Sequence, residues 1–322
     1  MSKSMCRSPE CGCEIEKGQT FCSPYCESDV GKSLPSQPCQ CGHDACRSAA
    51  SKESNGRRGT EQEPVVVVTG VSGLIGTALV EDLSRDYRMV GLDIKKPQEE
   101  SAEGLDFIEC DLTSDSSTSQ AFDELRKRHG THLASVIHLA AYYDFAGEPS
   151  PLYQKLTVNG TSRVLRYLQS FEVEQFVFSS SLLVMKPVES GQEITELSPT
   201  EALWDYPQSK REAERVILAE RGAIPTVILR IAGVYDEGCH SIPIANQIQR
   251  IYEKQVESHF FPGDRSHGQP FVHREDLVRC FRRTVERRDR LSDAEVFLIG
   301  EPEVVSYGEL QDELGEMLHG KR

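Results

Sequence analysis

The chain has 322 residues, with 36 Lys and Arg against 51 Asp and Glu and a formal charge of −15. The length supports one large domain or two smaller ones with a sizeable core. The acidity excludes nucleic acid as a partner, because neutralising phosphates needs a basic surface, and it argues against docking on an anionic membrane.

No apolar run approaches the ~20 residues of a membrane-spanning helix, and the opening MSKSMCRSPE holds no apolar stretch of the signal-peptide kind. The expected compartment is therefore the cytoplasm, where thiols stay reduced. The 11 cysteines are bunched: Cys6, Cys11, Cys13, Cys22, Cys26, Cys39, Cys41 and Cys46 come first, and only Cys110, Cys239 and Cys280 follow. Large apolar residues are scarce over 1–47, so any fold there must be stapled by metal or disulfide. Residues 48–63, SAASKESNGRRGTEQE, contain no large apolar residue and read as a flexible linker.

At Pro64 the pattern changes. EPVVVVTG predicts a buried parallel strand running into a glycine turn. A helix follows over GLIGTALVEDLSRD, then strands at YRMVGLD, FIECD and ASVIHLAA. PLYQKLTVNGTSRVLRYLQSF predicts a long helix, QFVFSSS a fifth strand, QSKREAERVILAERG another helix and PTVILRIAGVY a sixth strand. This alternation predicts an α/β fold with a doubly wound parallel Rossmann sheet over 64–236. Beyond it, helices at PIANQIQRIYEK, REDLVRCFRRTVERR and SYGELQDELGEML and a strand at EVFLIG make up a smaller substrate-binding part, 237–322.

In VVVVTGVSGLIG, Gly70 permits a tight turn and Gly73 lets backbone N–H groups of the Gly73-Leu74-Ile75 run approach a pyrophosphate. Gly76 lets helix and strand pack closely. Asp93 ends the second strand, where an acid suits the ribose hydroxyls of NAD and repels the 2′-phosphate of NADP. Lys95 and Lys96 stand close enough in sequence to receive that phosphate; Asp93 is the nearer group, so NAD is the expected cofactor. In DYPQSK, Tyr206 and Lys210 lie four apart at a helix start and so share one face. A cation beside a phenol lowers its pKa from about 10, which fits it for proton exchange with a substrate hydroxyl. Ser181, at the end of VFSSS, can hold the same oxygen.

These pieces together resemble the extended short-chain dehydrogenases/reductases of the NAD-dependent epimerase/dehydratase type. The likeness rests on TGVSGLIG, Asp93, CDLTS, HLAA, FSSS, YPQSK, LRIAGVY and GQPFVHREDL, in the family's order over residues 64–320. It implies Tyr206 as catalytic acid/base, Lys210 as the group that binds the nicotinamide ribose and tunes Tyr206, and Ser181 as the group that positions substrate. It also places Asp111 and Leu112 beside the adenine and makes Ala140 a cofactor contact. The departures narrow the activity. Family dehydratases carry a Thr-Asp-Glu-like run where this chain has Ser181, Leu182 and Leu183, so no acid stands ready to protonate a leaving hydroxyl. Nucleotide-sugar epimerases carry Asn where Gly233 stands, and Thr157 replaces the Asn of the family's long helix. What remains is hydride transfer at a secondary alcohol or ketone of a small substrate, sugar-like or otherwise, with a homodimer allowed. The family's C-terminal part often runs further than HGKR, so an abbreviated substrate side is expected.

The cysteine spacing, C-x4-C-x-C, C-x3-C and C-x-C-G-H-x2-C, resembles a bacterial metallothionein, with His43 inside its most specific element. Disulfides and a simple two-zinc finger are the alternatives. Eight thiolates and one imidazole give nine donors; three tetrahedral zincs then require three bridging thiolates, and four require seven. Three zincs are expected, four allowed, with Cd or Cu(I) able to substitute. The whole reads as an NAD-dependent enzyme with a metal-binding appendage; the alternative is a metal buffer or redox sensor whose NAD domain is silent.

Overall fold

Four consecutive valines, Val65 to Val68, are buried, and they alternate between two separate cores. A strand with no polar face belongs inside a sheet covered on both sides, and the computed structural model places it there. The structure describes residues 63–320 except 99–102, 145–146, 190 and 256–263. It also describes a two-residue antiparallel pair, Ser4–Met5 with Glu14–Ile15, in a separate unit spanning Met1–Gln62.

The second unit, Glu63–Arg322, runs β1 (Val65–Thr69), α1 (Leu74–Leu83), β2 (Arg88–Asp93), β3 (Leu105–Glu109), α2 (Asp115–His129), β4 (Ser135–His138), α3 (Asn159–Leu168) and β5 (Phe176–Ser181). It continues through α4 (Asp205–Glu220), β6 (Thr226–Ile231), β7 (Gly233–Tyr235), α5 (Ile242–Tyr252), β8 (Phe271–His273), α6 (Arg274–Glu286), β9 (Ala294–Ile299) and α7 (Tyr307–His319). Seven strands form one parallel sheet in the order β3-β2-β1-β4-β5-β6-β9. The order reverses between β1 and β4, and the crevice beyond the carboxyl ends of the strands at such a switch is where doubly wound sheets bind ligands.

Each face has its own helices. Phe122 and Leu125 of α2, Val164 and Leu165 of α3, and Ala213 and Ile217 of α4 pack on one core. Leu79 and Leu83 of α1 and Leu277 and Phe281 of α6 pack on the other. Arg282 ties α6 to α1, its guanidinium donating to Asp82 and Asp86 at 2.7 Å each. Each fully buried Leu or Phe contributes about 1.5–3 kcal/mol, so these two faces carry the fold.

Two features depart from the expectations above. Helix α2 is one that the sequence pattern does not announce: its first six residues, DSSTSQ, are all polar. It forms because the Ser114 hydroxyl accepts from Ser117 N at 3.3 Å and because Thr118, Ala121, Phe122 and Leu125 make a buried stripe at helical spacing. Strand β9, drawn from the 237–322 stretch, joins the main sheet beside β6 with Thr226 opposite Ala294. That stretch therefore supplies sheet as well as β8, which pairs with β7 from the preceding part, and the α5–α7 layer, where a His319 ring nitrogen donates to Ile251 O at 2.8 Å.

Candidate active site

The glycine turn sits at the carboxyl end of β1. Gly70 has φ +71 and donates its N–H to Leu92 O at 2.9 Å. A Cβ there would lie 2.8 Å from Ala140 N, so backbone crowding and a left-handed φ both require glycine. At Gly76 a Cβ would lie 2.5 Å from Val71 O. Gly73 caps α1 without a side-chain acceptor, and no acid stands in the first turn with Leu74 and Ile75. The positive end of α1, with its unpartnered N–H groups, is therefore left for an anion.

Asp93 closes on this turn: its Oδ2 accepts from Ser72 N at 3.0 Å and its Oδ1 from Ile94 N at 2.7 Å. The Ser72 hydroxyl donates to Lys95 O, while the Lys95 and Lys96 side chains are exposed. Asp111 Oδ1 accepts from Thr113 N and Oγ1 at 2.8 and 2.7 Å, holding the loop after β3. Leu112 is buried against Gly160 of α3, and Ala140 N donates to Thr69 Oγ1 at 3.3 Å. The residues expected at the pyrophosphate and adenine half thus gather at the carboxyl edge of β1 to β4. A surface hollow lined by Arg88, Met89, Leu105 and Arg128 lies at the opposite ends of β2 and β3 and is no part of this edge.

Ser181 ends β5 beside Tyr206, which stands in the first turn of α4. The Tyr143 ring stands edge-on to it, 4.9 Å between centroids. Lys210, one turn along and only 3% exposed, donates from Nζ to Ser179 O at 2.6 Å and lies 4.9 Å over the Phe178 ring. The spacing of Tyr206 and Lys210 predicts a phenol pKa lowered by the cation. Instead burial raises it, with Tyr143 adding and only the Ser181 hydroxyl opposing. Burial also pushes the Lys210 ammonium down to about 7, against the pull of Glu214.

That shift makes a prediction for cofactor-free protein. The folded pKa of Lys210 lies below its ordinary value of 10.5, so between about pH 7 and that value the unfolded chain holds the extra proton and stability rises with pH. Below pH 7 the cost of the buried ammonium is fully present. Calorimetry on Lys210→Met should show the melting-point difference between variant and wild type moving in the variant's favour as pH falls from about 9.5 to about 6.

Three residues that sequence reasoning missed support the site from beneath. Glu214, four after Lys210 on α4, accepts from Arg230 Nε at 3.1 Å and Nη2 at 2.8 Å, and from Ser180 Oγ at 2.5 Å. Arg230 Nη1 also reaches Met185 Sδ at 3.1 Å. The signal was available: a lone Arg inside the apolar run VILRIAG needs a buried partner. His138, at the end of β4, sits between the Thr69 and Thr161 hydroxyls at 2.6 and 2.9 Å. Burial, helped by the Lys210 charge, holds its imidazole neutral, down to about 3. A π-helical turn, Tyr153–Val158, leads into α3 and buries Thr157, whose hydroxyl accepts from Tyr142 N at 3.0 Å.

The expected metal ligands Cys6, Cys11, Cys13, Cys22, Cys26, Cys39, Cys41, His43 and Cys46 lie outside the described residues. Among the described residues there is no group of three His, Cys, Asp or Glu that could hold a metal ion, and no helix is long and apolar enough to cross a membrane.

The sequence profile of the NAD dependent epimerase/dehydratase family matches residues 66–300. The sterol-4-alpha-carboxylate 3-dehydrogenase, decarboxylating, of Candida albicans is 28% identical over 193 residues, covering 54% of this chain and 51% of that protein. The human short-chain dehydrogenase/reductase family 42E member 1 is 27% identical over 236 residues, covering 68% and 57%. The chain thus spans about half the length of the curated relatives it matches. The structure of MoeE5 in complex with UDP-glucose and NAD aligns with a TM-score of 0.64 at 29% identity, over 80% of this chain and 82% of that one.

Proposed function

The chain belongs to the NAD dependent epimerase/dehydratase family, and on that basis we propose that it moves a hydride between NAD and a secondary alcohol or ketone of a small molecule. The observation that carries this reading is the convergence, at the carboxyl edge of the sheet, of Ser181 at the end of β5 and Tyr206 in the first turn of α4, with Lys210 buried one turn beyond and its Nζ donating to Ser179 O at 2.6 Å. NAD, when bound, supplies the hydride acceptor. The N–H groups of Leu74 and Ile75, with Gly73 leaving the approach open, would hold its pyrophosphate, Asp93 would take the ribose hydroxyls, Asp111 and Leu112 would border the adenine, and Ala140 would stand beside the glycine turn. Lys210 takes the nicotinamide ribose. Ser181 holds the substrate oxygen while the Tyr206 phenol, which burial keeps protonated, gives its proton to that oxygen during reduction; oxidation is the reverse, the phenolate so formed taking the proton back.

The same two steps serve a dehydrogenase or an epimerase. The relatives' names point both ways: one acts on a sterol carboxylate and another is seen with UDP-glucose. Dehydration is disfavoured, because Leu182 and Leu183 follow Ser181 where an acid would be needed. A silent NAD domain serving a metal buffer gains no support, since Ser181, Tyr206 and Lys210 stand together.

The test of the cofactor half is calorimetric titration with both dinucleotides. NADP(H) is expected to bind at least about tenfold more weakly than NAD(H), or about 1.4 kcal/mol, because its 2′-phosphate meets the Asp93 carboxylate. Equal or tighter NADP(H) binding would assign the pocket to Lys95 and Lys96 instead.

For the cysteine-rich segment the proposal rests on sequence alone: about three zinc ions shared among eight thiolates and His43. Metal ligands must be deprotonated, so acid should release the zinc. Native mass spectrometry across a pH titration is expected to show about three zincs lost together, with NAD affinity unchanged on chelation. Protein from reducing cytosol that carries intramolecular disulfides and no metal would refute it.

A further inference from the structure

A buried polar side chain costs stability unless its hydrogen bonds are made. Four of them meet between β1, β4 and α3: Thr69, His138, Thr157 and Thr161, each fully buried. The His138 ring packs against those of Phe176 and Phe178, with centroids 5.7 and 5.8 Å away. Apolar side chains of the same size would fill this space without that cost, so the group has to be explained by what its ends hold.

Counting protons gives each hydrogen bond a direction. Thr161 has one hydroxyl proton and gives it to Thr157 O at 2.6 Å, the carbonyl four residues back. Toward His138 Nε2, at 2.9 Å, its oxygen can then only accept, so the imidazole carries its proton on Nε2. Burial keeps the ring neutral. Nδ1 is therefore a bare lone pair, and the Thr69 hydroxyl donates to it at 2.6 Å. With its proton turned that way, Thr69 Oγ1 offers a lone pair to Ala140 N–H at 3.3 Å.

Both ends of this chain of bonds bear on the site. Ala140 N is the atom that a Cβ at Gly70 would strike, so its position sets one wall of the glycine turn. Two residues on, Tyr142 N donates to Thr157 Oγ1 at 3.0 Å. The loop is thus pinned at Ala140 and again at Tyr142, and the next residue, Tyr143, stands edge-on to Tyr206.

Resting on the cofactor half of the reading above, we propose that His138 is a positioning residue. Fixed as the Nε2–H tautomer by Thr161, it orients the Thr69 hydroxyl and so holds Ala140 and the loop 140–143 against the glycine turn that receives NAD.

Thr161→Val keeps the shape of the side chain and removes the hydroxyl, whereas Thr161→Ser keeps the hydroxyl. In Thr161→Val an Nε2 proton would face a methyl group, so it is expected to move to Nδ1. Thr69 must then accept from the ring, and its own proton is left without an acceptor or turned against Ala140 N–H. NMR of full-length protein carrying labelled histidine reads the tautomer, with the His138 ring assigned through its contacts to Phe176 and Phe178. Wild type and Thr161→Ser should show a neutral ring protonated on Nε2, and Thr161→Val one protonated on Nδ1. By calorimetry, NAD should bind about tenfold more weakly to Thr161→Val, or about 1.4 kcal/mol, and within about twofold of wild type to Thr161→Ser. A wild-type ring protonated on Nδ1 would overturn the proposal. So would NAD affinity unchanged in Thr161→Val, or an equal loss in both variants, which would assign the effect to packing. Neither measurement needs turnover, so the hydride-transfer reading fails separately. No NADH absorbance from any secondary alcohol would remove the oxidoreductase assignment and leave the positioning of the NAD turn standing.

Discussion

Tyr206→Phe should abolish turnover while leaving NAD affinity nearly intact. The substitution deletes one atom, the phenolic oxygen, and keeps the ring that packs edge-on against Tyr143. The protein should therefore stay folded. A positioned acid/base contributes about 10²–10⁴-fold to rate, so kcat and kcat/KM should fall together by that factor, as for a group acting only in the transition state. The groups proposed to hold the pyrophosphate and ribose hydroxyls, the glycine turn and Asp93, lie on other strands of the sheet. Cofactor Kd by calorimetry should accordingly move by less than about twofold, about 0.4 kcal/mol. A variant with normal kcat would remove Tyr206 from the mechanism.

The largest stability effect is expected at Arg230. Its side chain is buried and makes two hydrogen bonds to Glu214, itself buried beneath Lys210 and held by Ser180. Breaking such a pair from one side strands a charge in the interior and costs about 3–5 kcal/mol. Arg230→Met should thus lower the melting point on the order of 10 °C, at about 2–4 °C per kcal/mol for a domain of this size. Replacing both partners, in Glu214→Leu/Arg230→Met, should recover most of the loss, since matched apolar groups are often as stable as a buried pair. Calorimetry on the single and double variants checks both claims. A single variant as stable as wild type would mean that water reaches the pair.

Much of this is legible in the chain. The central strands are apolar runs whose last residues face the site: Thr69 before Gly70, Asp93, His138 and Ser181. Periodicity reads the run and turn chemistry reads its end, so the sheet and its active edge can both be located. Helix α2 is hidden because polar residues fill its first turns and its apolar stripe comes late. The place of β9 beside β6 is a long-range pairing, which local pattern cannot express. The sign of the Tyr206 shift escapes sequence reasoning for a related reason. Spacing puts Lys210 on the same face, but only the folded chain shows that burial outweighs it and that Lys210 turns to Ser179 O. Thr157 illustrates the same gap. The sequence shows a missing amide, whereas the structure shows a hydroxyl receiving the Tyr142 N–H.

The central claim, hydride transfer at Tyr206, is tested most directly by isotope. Protein with NAD is incubated with secondary alcohols, polar and apolar, deuterated at the carbinol carbon, and the cofactor is then analysed by mass spectrometry. Deuterium should appear in NADH with wild-type protein and be nearly absent with Tyr206→Phe. Tightly bound NAD that gains no deuterium from any of them, or equal labelling by the variant, would contradict the account.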